Sequence, residues 1–327
     1  TTFETRVVFK DTARNNQLTT ELRAMKYKPS WILPHTSPLF QIMLGSFVEM
    51  NQQIDYHCQM IKFDDGGQTG LFWDKRGLEP DFKPKAVLAI APGMNGGCDT
   101  DYILELVHKA YSHGYLVVVV HNRGIGTPLT TPKLFHGGST DDFGTCIENI
   151  KDKYPDLPLV GMGISYDVEL CARHITSQPV INSVLAGYYL TSLYEPNQKW
   201  LQDPSSPYKL DLQDIENVRE TYEFDRRVIC KMFDFEDPWD YYRSVSSKRV
   251  IHGVSTPTLC LHSLDDPICL KECIPEQEIL ENENIILMTA FGGGHVDFFE
   301  GTLPSRWFPK PALTFLDSTI RENSDNQ

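Results

Sequence analysis

Short runs of apolar residues alternate with polar segments of helix length over most of this chain. The runs that predict strands are 86–91, 116–120, 157–162, 181–187, 258–262 and 285–288. Wholly apolar runs of this length suit strands that are buried on both faces, as in parallel sheets. The segments that predict helices are 101–113, 141–154 and 168–176. The alternation therefore predicts an α/β fold, a mostly parallel sheet with helices on both faces.

Three regions depart from this alternation. Residues 1–50 are mixed and interrupted by proline, and they predict an N-terminal extension that precedes one domain over 51–327. At the start of that domain, runs 54–63 and 69–73 flank an Asp-Asp-Gly-Gly turn and predict a hairpin. Residues 191–250 contain no strand-like run, and they predict a helical cap inserted above the carboxyl edge of the sheet.

Composition excludes several classes of protein. A formal charge of -14 argues against nucleic acid or an anionic membrane surface as the main partner. The eight cysteines are scattered, which favours reduced thiols and an intracellular setting, although a membrane-associated or organellar compartment stays open. The pair Cys269 and Cys273 lacks a second ligand pair, so no metal site is predicted.

The sequence predicts no cofactor and no membrane span. Gly161-Met-Gly163 lacks the third glycine of a dinucleotide-binding loop. The residues from Thr1 onward predict neither a signal peptide nor an apolar run of 18 residues, and whether a leader or anchor precedes them stays open. Protein partners and oligomeric state are not indicated by any pattern.

Three residues with catalytic chemistry follow predicted strands directly. Ser165 stands in Gly163-Ile-Ser-Tyr-Asp after the run ending at Met162, Asp265 and Asp266 follow the run ending at His262, and His295 follows three glycines. Ligands gather at the carboxyl edge of open α/β sheets, where these residues are expected. The order Ser, Asp, His is that of serine hydrolases with a nucleophile, an orienting acid and a base.

A glycine-rich loop after the first parallel strand completes this set. Pro92-Gly-Met-Asn-Gly-Gly97 follows the run 86–91. Its Met94 amide, together with the amide of Tyr166 after the serine, is predicted to form an oxyanion hole.

At this point the chain resembles the branch of the α/β-hydrolase-domain family that contains bacterial, yeast and mammalian medium-chain esterases and phospholipases. The resemblance runs from about residue 29 to 317. The motifs that carry it are Pro29-Ser-Trp31 with His35, Ala91–Gly97, Asn122-Arg-Gly124-Ile-Gly126 leading to Thr140-Asp-Asp142, Phe224-Asp225 with Asp240-Tyr-Tyr242 and Ser246, Leu264-Asp-Asp-Pro267, and Gly293-Gly-His295 with Phe298-Phe-Glu-Gly301.

The resemblance implies an α/β-hydrolase fold and a serine esterase that needs no cofactor. It implies Ser165 as nucleophile, His295 as general base and one aspartate of the pair as orienter. The spacing from His262 selects Asp266, with Asp265 as the alternative acid. The expected substrates are short- or medium-chain acyl esters, including lipids, with acyl transfer to alcohols as a second outcome. Some members of the family carry an N-terminal membrane anchor.

Two aspartates depart from the family pattern and leave a second hypothesis open. Asp167 replaces the glycine two positions after the serine, and Asp297 stands where a glycine often follows the histidine. Negative charge close to the base favours the imidazolium and opposes a developing oxyanion. The alternative is therefore a catalytically inactive α/β-hydrolase fold that serves as a binding or structural subunit.

Overall fold

The computed structural model describes residues 3–30, 53–94, 96–165, 179–302 and 304–325. Tyr166, Asp167 and the predicted helix 168–176 lie outside the described residues, as do Trp31 and His35. The contacts divide the chain into two compact units. The first comprises Thr1–Gln53, Leu104–His113 and Ser247–Gln327, and the second comprises Ile54–Ile103 and Gly114–Ser246.

The strands are β1 Phe3–Glu4, β2 Arg6–Phe9, β3 Lys26–Tyr27, β4 Tyr56–Lys62, β5 Gln68–Asp74, β6 Ala86–Ala91, β7 Tyr115–Val120, β8 Leu159–Gly163, β9 Thr258–Ser263, β10 Ile285–Ala290, β11 Phe299–Glu300 and β12 Ser305–Arg306. The α-helices are α1 Ala13–Leu18, α2 Thr20–Ala24, α3 Asp101–Ser112, α4 Asp141–Lys153, α5 Pro179–Tyr188, α6 Glu195–Leu201, α7 Leu212–Glu216, α8 Thr221–Phe224, α9 Cys230–Phe233, α10 Pro238–Val245, α11 Glu276–Glu281 and α12 Pro309–Asp325. Strands β6 to β10 and helices α3 and α4 agree with the predicted segments to within a few residues.

The second unit is built on a five-stranded mixed sheet in the order β4-β5-β7-β6-β8. Strands β6, β7 and β8 are parallel, and β4 and β5 form the predicted antiparallel hairpin. Alternate residues of β6 and β7 are buried on opposite faces of the sheet, which explains why both runs are wholly apolar. On one face, Cys146 and Ile150 of α4 pack against the strands.

The predicted strand 181–187 is wrong, because this segment forms helix α5. Asn182 and Ala186 are buried one turn apart, and Tyr189 follows on the same side. Asn182 fixes this face through Oδ1, which accepts hydrogen bonds from the backbone and the hydroxyl of Thr221. A short apolar run does not distinguish a buried strand from a helix, and here the spacing of the buried residues is helical.

The helical segment 179–246 has its own apolar core. Tyr189 stacks on Phe224 at 4.7 Å between ring centroids, and Tyr194, Tyr241 and Tyr242 are buried nearby. The core also includes residues 125–135, which follow β7, and it contacts Met94 after β6. Most aromatic residues of this segment therefore pack against one another. Residues 191–246, most of the segment predicted as a cap, contain helices and no strand among those that the structure describes.

The first unit contains a three-stranded sheet in the order β2-β10-β9. Strands β9 and β10 are parallel and in register from Thr258 and Ile285 to Ser263 and Ala290, so both end at the same edge. Strand β2 of the predicted N-terminal extension pairs antiparallel with β10. Among the helices that the structure describes, none is long and apolar enough to cross a membrane.

Candidate active site

Ser165 begins the turn that follows β8, as the sequence predicted. Its backbone φ is 63°, in the left-handed region that residues with a Cβ rarely adopt, and the residue is exposed. A strained turn of this kind holds the hydroxyl of a nucleophilic serine above the end of a strand. Up to Ser165, the backbone after β8 therefore has the conformation expected of a nucleophile elbow, the sharp turn that presents a catalytic serine.

The loop after β6 lies directly against this turn. A Cβ on Gly93 would lie 3.3 Å from the Cβ of Ser165 and 3.3 Å from the carbonyl oxygen of Ile164. The amide of Gly93 donates to the hydroxyl of Tyr102 at 3.1 Å, and a Cβ on Gly96 would overlap that same hydroxyl. Glycine at both positions thus lets the loop that carries Met94 approach the serine.

His121 holds the C-terminal end of that loop by a hydrogen bond with Cys98. Its Nε2 accepts a hydrogen bond from the amide of Cys98 at 2.8 Å, and its Nδ1 lies 3.0 Å from the carbonyl oxygen of Ile125. Burial lowers the pKa of His121, with the Ile125 carbonyl and Asp99 opposing. A neutral ring with its proton on Nδ1 satisfies both contacts. Tyr102 and His121 carry no recognisable motif, and the sequence did not predict either role.

His295 and Asp266 form a hydrogen bond in the first unit. His295 Nδ1 lies 2.7 Å from Asp266 Oδ2, and Asp266 is 5% exposed. Burial lowers the pKa of His295, but the neighbouring Asp266 and Cys269 outweigh burial and raise it above its usual value. A carboxylate on Nδ1 fixes the tautomer with a lone pair on Nε2, and it stabilises the imidazolium that forms when Nε2 takes a proton.

Cys269 belongs to the same cluster, which the sequence did not indicate. Its Sγ lies within 4.8 Å of a ring nitrogen of His295, and its backbone amide donates to Asp266 Oδ1 at 2.9 Å. The amide of Ile268 donates to the same oxygen at 2.8 Å. One ligand atom from each of Asp266, Cys269 and His295 lies within 4.8 Å of the others, so this cluster could hold a metal ion.

Asp265 has a different set of partners from Asp266. Its Oδ1 accepts from the amides of Gly292 and Gly293 at 3.0 and 3.2 Å, and from the hydroxyl of Ser263. The hydroxyl of Ser263 in turn accepts from the amide of Gly293 at 2.9 Å. The two adjacent aspartates therefore have different partners. Asp266 contacts the imidazole, and Asp265 binds backbone amides of the loop that leads to it.

Each of the three glycines before His295 occupies a position where a side chain would be strained or would clash. Gly292 and Gly294 have φ values of 91° and 59°, and a Cβ on Gly293 would overlap the ring of Phe298. The loop is also held from β3, because the buried hydroxyl of Tyr27 lies 3.0 Å from the carbonyl oxygens of both Gly292 and Phe299. The run of glycines is thus part of a loop that hydrogen bonds from Tyr27 and to Asp265 hold in place.

Asp297, one of the two unexpected aspartates, is paired with an arginine. Its Oδ1 lies 3.6 Å from Arg306 Nη2, and the two residues are 4% and 2% exposed. Burial raises the pKa of Asp297 to about 6, while Arg306 and His295 oppose that rise. Arg306 also contacts Glu105 at 3.4 Å. The second aspartate, Asp167, lies outside the described residues, as does Tyr166 of the predicted oxyanion hole.

Comparisons with known proteins place most of the chain beside lipid and ester hydrolases, although no family model matches it. It is 27% identical to the bovine phospholipase ABHD3 over 318 residues, covering 86% of this chain and 74% of that protein. It is 25% identical to the mouse monoacylglycerol lipase ABHD2, covering 92% of this chain and 80% of that protein. The esterase PF2001 of Pyrococcus furiosus aligns with a TM-score of 0.53 at 13% identity, covering 84% of this chain and 95% of that one. These matches confirm the predicted fold and the predicted resemblance to the esterase and phospholipase branch.

Proposed function

We propose that this protein, which has the α/β-hydrolase fold and resembles esterases and phospholipases of that fold, is a serine carboxylic ester hydrolase. The observation that carries the proposal is the hydrogen bond between His295 Nδ1 and Asp266 Oδ2 on loops that follow adjacent parallel strands. The left-handed backbone of Ser165 after β8 supports it independently. Ser165, His295 and Asp266 are the residue types that acyl transfer to a serine requires.

In the proposed reaction, Ser165 Oγ attacks the acyl carbonyl while His295 Nε2 takes the hydroxyl proton. The amides of Met94 and Tyr166 stabilise the oxyanion of the tetrahedral intermediate. His295 then returns the proton to the leaving alcohol, which departs and leaves an acyl-enzyme. Water attacks this ester with His295 as base, the acid is released and Ser165 regains its proton. An alcohol in place of water would give a new ester.

The proposed substrates are acyl esters of glycerol-based lipids or small alcohols, with short or medium acyl chains. Two relatives are named as a phospholipase and a monoacylglycerol lipase, and glycerol esters with an acyl chain are common to both names. The pairing of Asp297 with Arg306 supports activity, because it engages a charge that would otherwise face His295 alone.

Turnover of a graded series of esters tests this function. Purified protein is assayed with p-nitrophenyl esters of increasing acyl length, then with a monoacylglycerol and a phosphatidylcholine. We expect hydrolysis that disappears in Ser165→Ala. Rates that are equal in the two proteins, or no hydrolysis of any ester by folded protein, would instead favour an inactive fold.

A further inference from the structure

We propose that Asp266, Cys269 and His295 form a binding site for Zn²⁺, and that zinc bound there inhibits the enzyme. The inhibition rests on the proposed function, whereas the binding does not. A carboxylate oxygen, a sulfur and an imidazole nitrogen converge from one loop after β9 and one loop after β10. These three donor types are the ones that zinc sites in proteins use.

The dimensions of the cluster suit a metal ion after a small adjustment of the side chains. The three ligand atoms lie within 4.8 Å of one another. Zinc binds nitrogen and oxygen at about 2.0–2.2 Å and sulfur at about 2.3 Å, so ligand atoms around it are separated by roughly 3.5 Å. His295 Nδ1 and Asp266 Oδ2, now 2.7 Å apart, would have to separate to about 3.5 Å to admit the ion, while the carboxyl of Asp266 is already oriented.

That orientation comes from the backbone. Asp266 Oδ1 accepts from the amides of Ile268 and Cys269, which leaves Oδ2 to face the imidazole. Hydrogen bonds of this kind to a ligating carboxylate fix its direction and raise metal affinity. They also tie the backbone of Cys269 to Asp266, so two of the three ligands are held by one turn.

Zinc and the catalytic proton compete for the same groups. A zinc ion between Asp266 and His295 would replace the proton that the two side chains now share, and it would occupy a ring nitrogen of the general base. Metal binding would also require the thiol of Cys269 to lose its proton. With three protein ligands, a fourth position remains for water, as in other open zinc sites. Soft and borderline ions are favoured over Mg²⁺, which prefers oxygen ligands.

Direct metal titration of the full chain tests the site without any assay of activity. Zinc affinity is measured by competition with a chromophoric chelator, and Co²⁺ is added as a spectroscopic probe for thiolate ligation. We expect one zinc per chain, a thiolate-to-cobalt charge-transfer band, and a loss of at least about 10-fold in zinc affinity in Cys269→Ser. His295→Ala should weaken binding similarly. The matched control is Cys58→Ser, which removes an exposed thiol in the other unit and should change neither readout.

The outcomes separate the site from the proposed function. Absence of zinc binding, or a charge-transfer band that survives in folded Cys269→Ser, overturns the site. Retained zinc affinity in Ser165→Ala supports it even if no ester is ever hydrolysed. For active protein, zinc should inhibit hydrolysis and a chelator should restore it, while Mg²⁺ at the same concentration should not inhibit. Zinc that binds through Cys269 and leaves hydrolysis unchanged overturns the inhibitory role.

Discussion

His295 and Asp266 are joined by a hydrogen bond of 2.7 Å, although 28 residues separate them in the chain. The bond holds the imidazole with its proton on Nδ1, the tautomer that a general base at Nε2 requires. Asp266→Asn keeps the size of the side chain but can donate to Nδ1 and select the wrong tautomer. We expect kcat for ester hydrolysis to fall by about 10³- to 10⁴-fold with a smaller change in KM.

Asp265→Asn is the matched control for that substitution. It replaces the charged acceptor of the Gly292 and Gly293 amides with a neutral amide oxygen, which weakens these hydrogen bonds, and it should mainly lower stability, by about 1–2 kcal/mol. The assignment of the two aspartates is wrong if Asp265→Asn reduces kcat more than Asp266→Asn does.

The pairing of Asp297 with Arg306 predicts a structural effect for substitution of the aspartate. Asp297→Asn leaves the buried guanidinium of Arg306 with Glu105 as its remaining acidic partner. We expect the free energy of unfolding to fall by about 2–4 kcal/mol, at or below the range for a broken buried ion pair, because Glu105 still contacts the arginine. Urea denaturation measures this change.

An exposed ion pair in the same unit provides the comparison. Glu21 and Arg321 are both more than half exposed, so Glu21→Gln should change the unfolding free energy by less than about 0.5 kcal/mol. Equal changes in unfolding free energy for Asp297→Asn and Glu21→Gln would show that the buried pair contributes no more to stability than the exposed one.

Asp225 in the helical segment predicts a dependence of stability on pH. Burial raises the pKa of Asp225 to about 7, with the hydrogen bond from Tyr242 opposing that rise. Its Oδ1 has no hydrogen-bond partner within the part of the chain that the structure describes. The folded protein holds this proton more tightly than the unfolded chain, so the stability that Asp225 contributes is fully present below about pH 4 and is lost as the pH rises through about 7.

Asp225→Asn should remove this contribution because the amide does not ionise. We expect the fall in unfolding free energy between pH 5 and pH 8 to be smaller in the variant by on the order of a few kcal/mol. Tyr242→Phe should retain the dependence, since Asp225 would still ionise in the same buried place. An unchanged pH slope in Asp225→Asn would refute the assignment.

Tyr27 predicts a link between β3 and the histidine loop. Tyr27→Phe removes the hydroxyl that contacts the carbonyl oxygens of Gly292 and Phe299, and it should lower stability by about 1–2 kcal/mol. We expect kcat to fall several-fold with KM little changed, because the loop that positions His295 loosens. Tyr56→Phe, which removes a hydroxyl bound to the carbonyl of Cys98, is the control and should not lower kcat as much.

The pattern of apolar runs predicted the strands that position the site. Strands β6, β7 and β10 are buried along nearly their whole length, which requires apolar residues at successive positions, whereas β8 and β9 are only partly buried. Ser165, Asp266 and His295 are proposed for the site because they follow β8, β9 and β10, and the carboxyl ends of parallel strands are where catalytic residues gather. The strand prediction for 181–187 was wrong because a short, mostly apolar run fits either element. Its helical spacing is visible only once the burial of Asn182 and Ala186 is known.

The residues that support the site could not be predicted in the same way. Tyr27 contacts a loop more than 260 residues further along the chain, and Arg306 reaches Asp297 by side-chain geometry alone. The sequence pairs Cys269 only with Cys273, whereas in the structure its amide donates to Asp266 and its Sγ lies within 4.8 Å of a His295 ring nitrogen. Contacts of this kind depend on tertiary packing, which the periodicity of a sequence does not encode.

Covalent labelling with a fluorophosphonate probe tests the proposed nucleophile most directly, because the probe reacts with serines that an adjacent base activates. Folded protein is treated with the probe, digested, and analysed by mass spectrometry. We expect stoichiometric modification of Ser165, strong reduction of labelling in His295→Ala, and none in Ser165→Ala. Folded protein that is not labelled, or that is labelled equally well after Ser165→Ala, would contradict a serine hydrolase built on Ser165, Asp266 and His295.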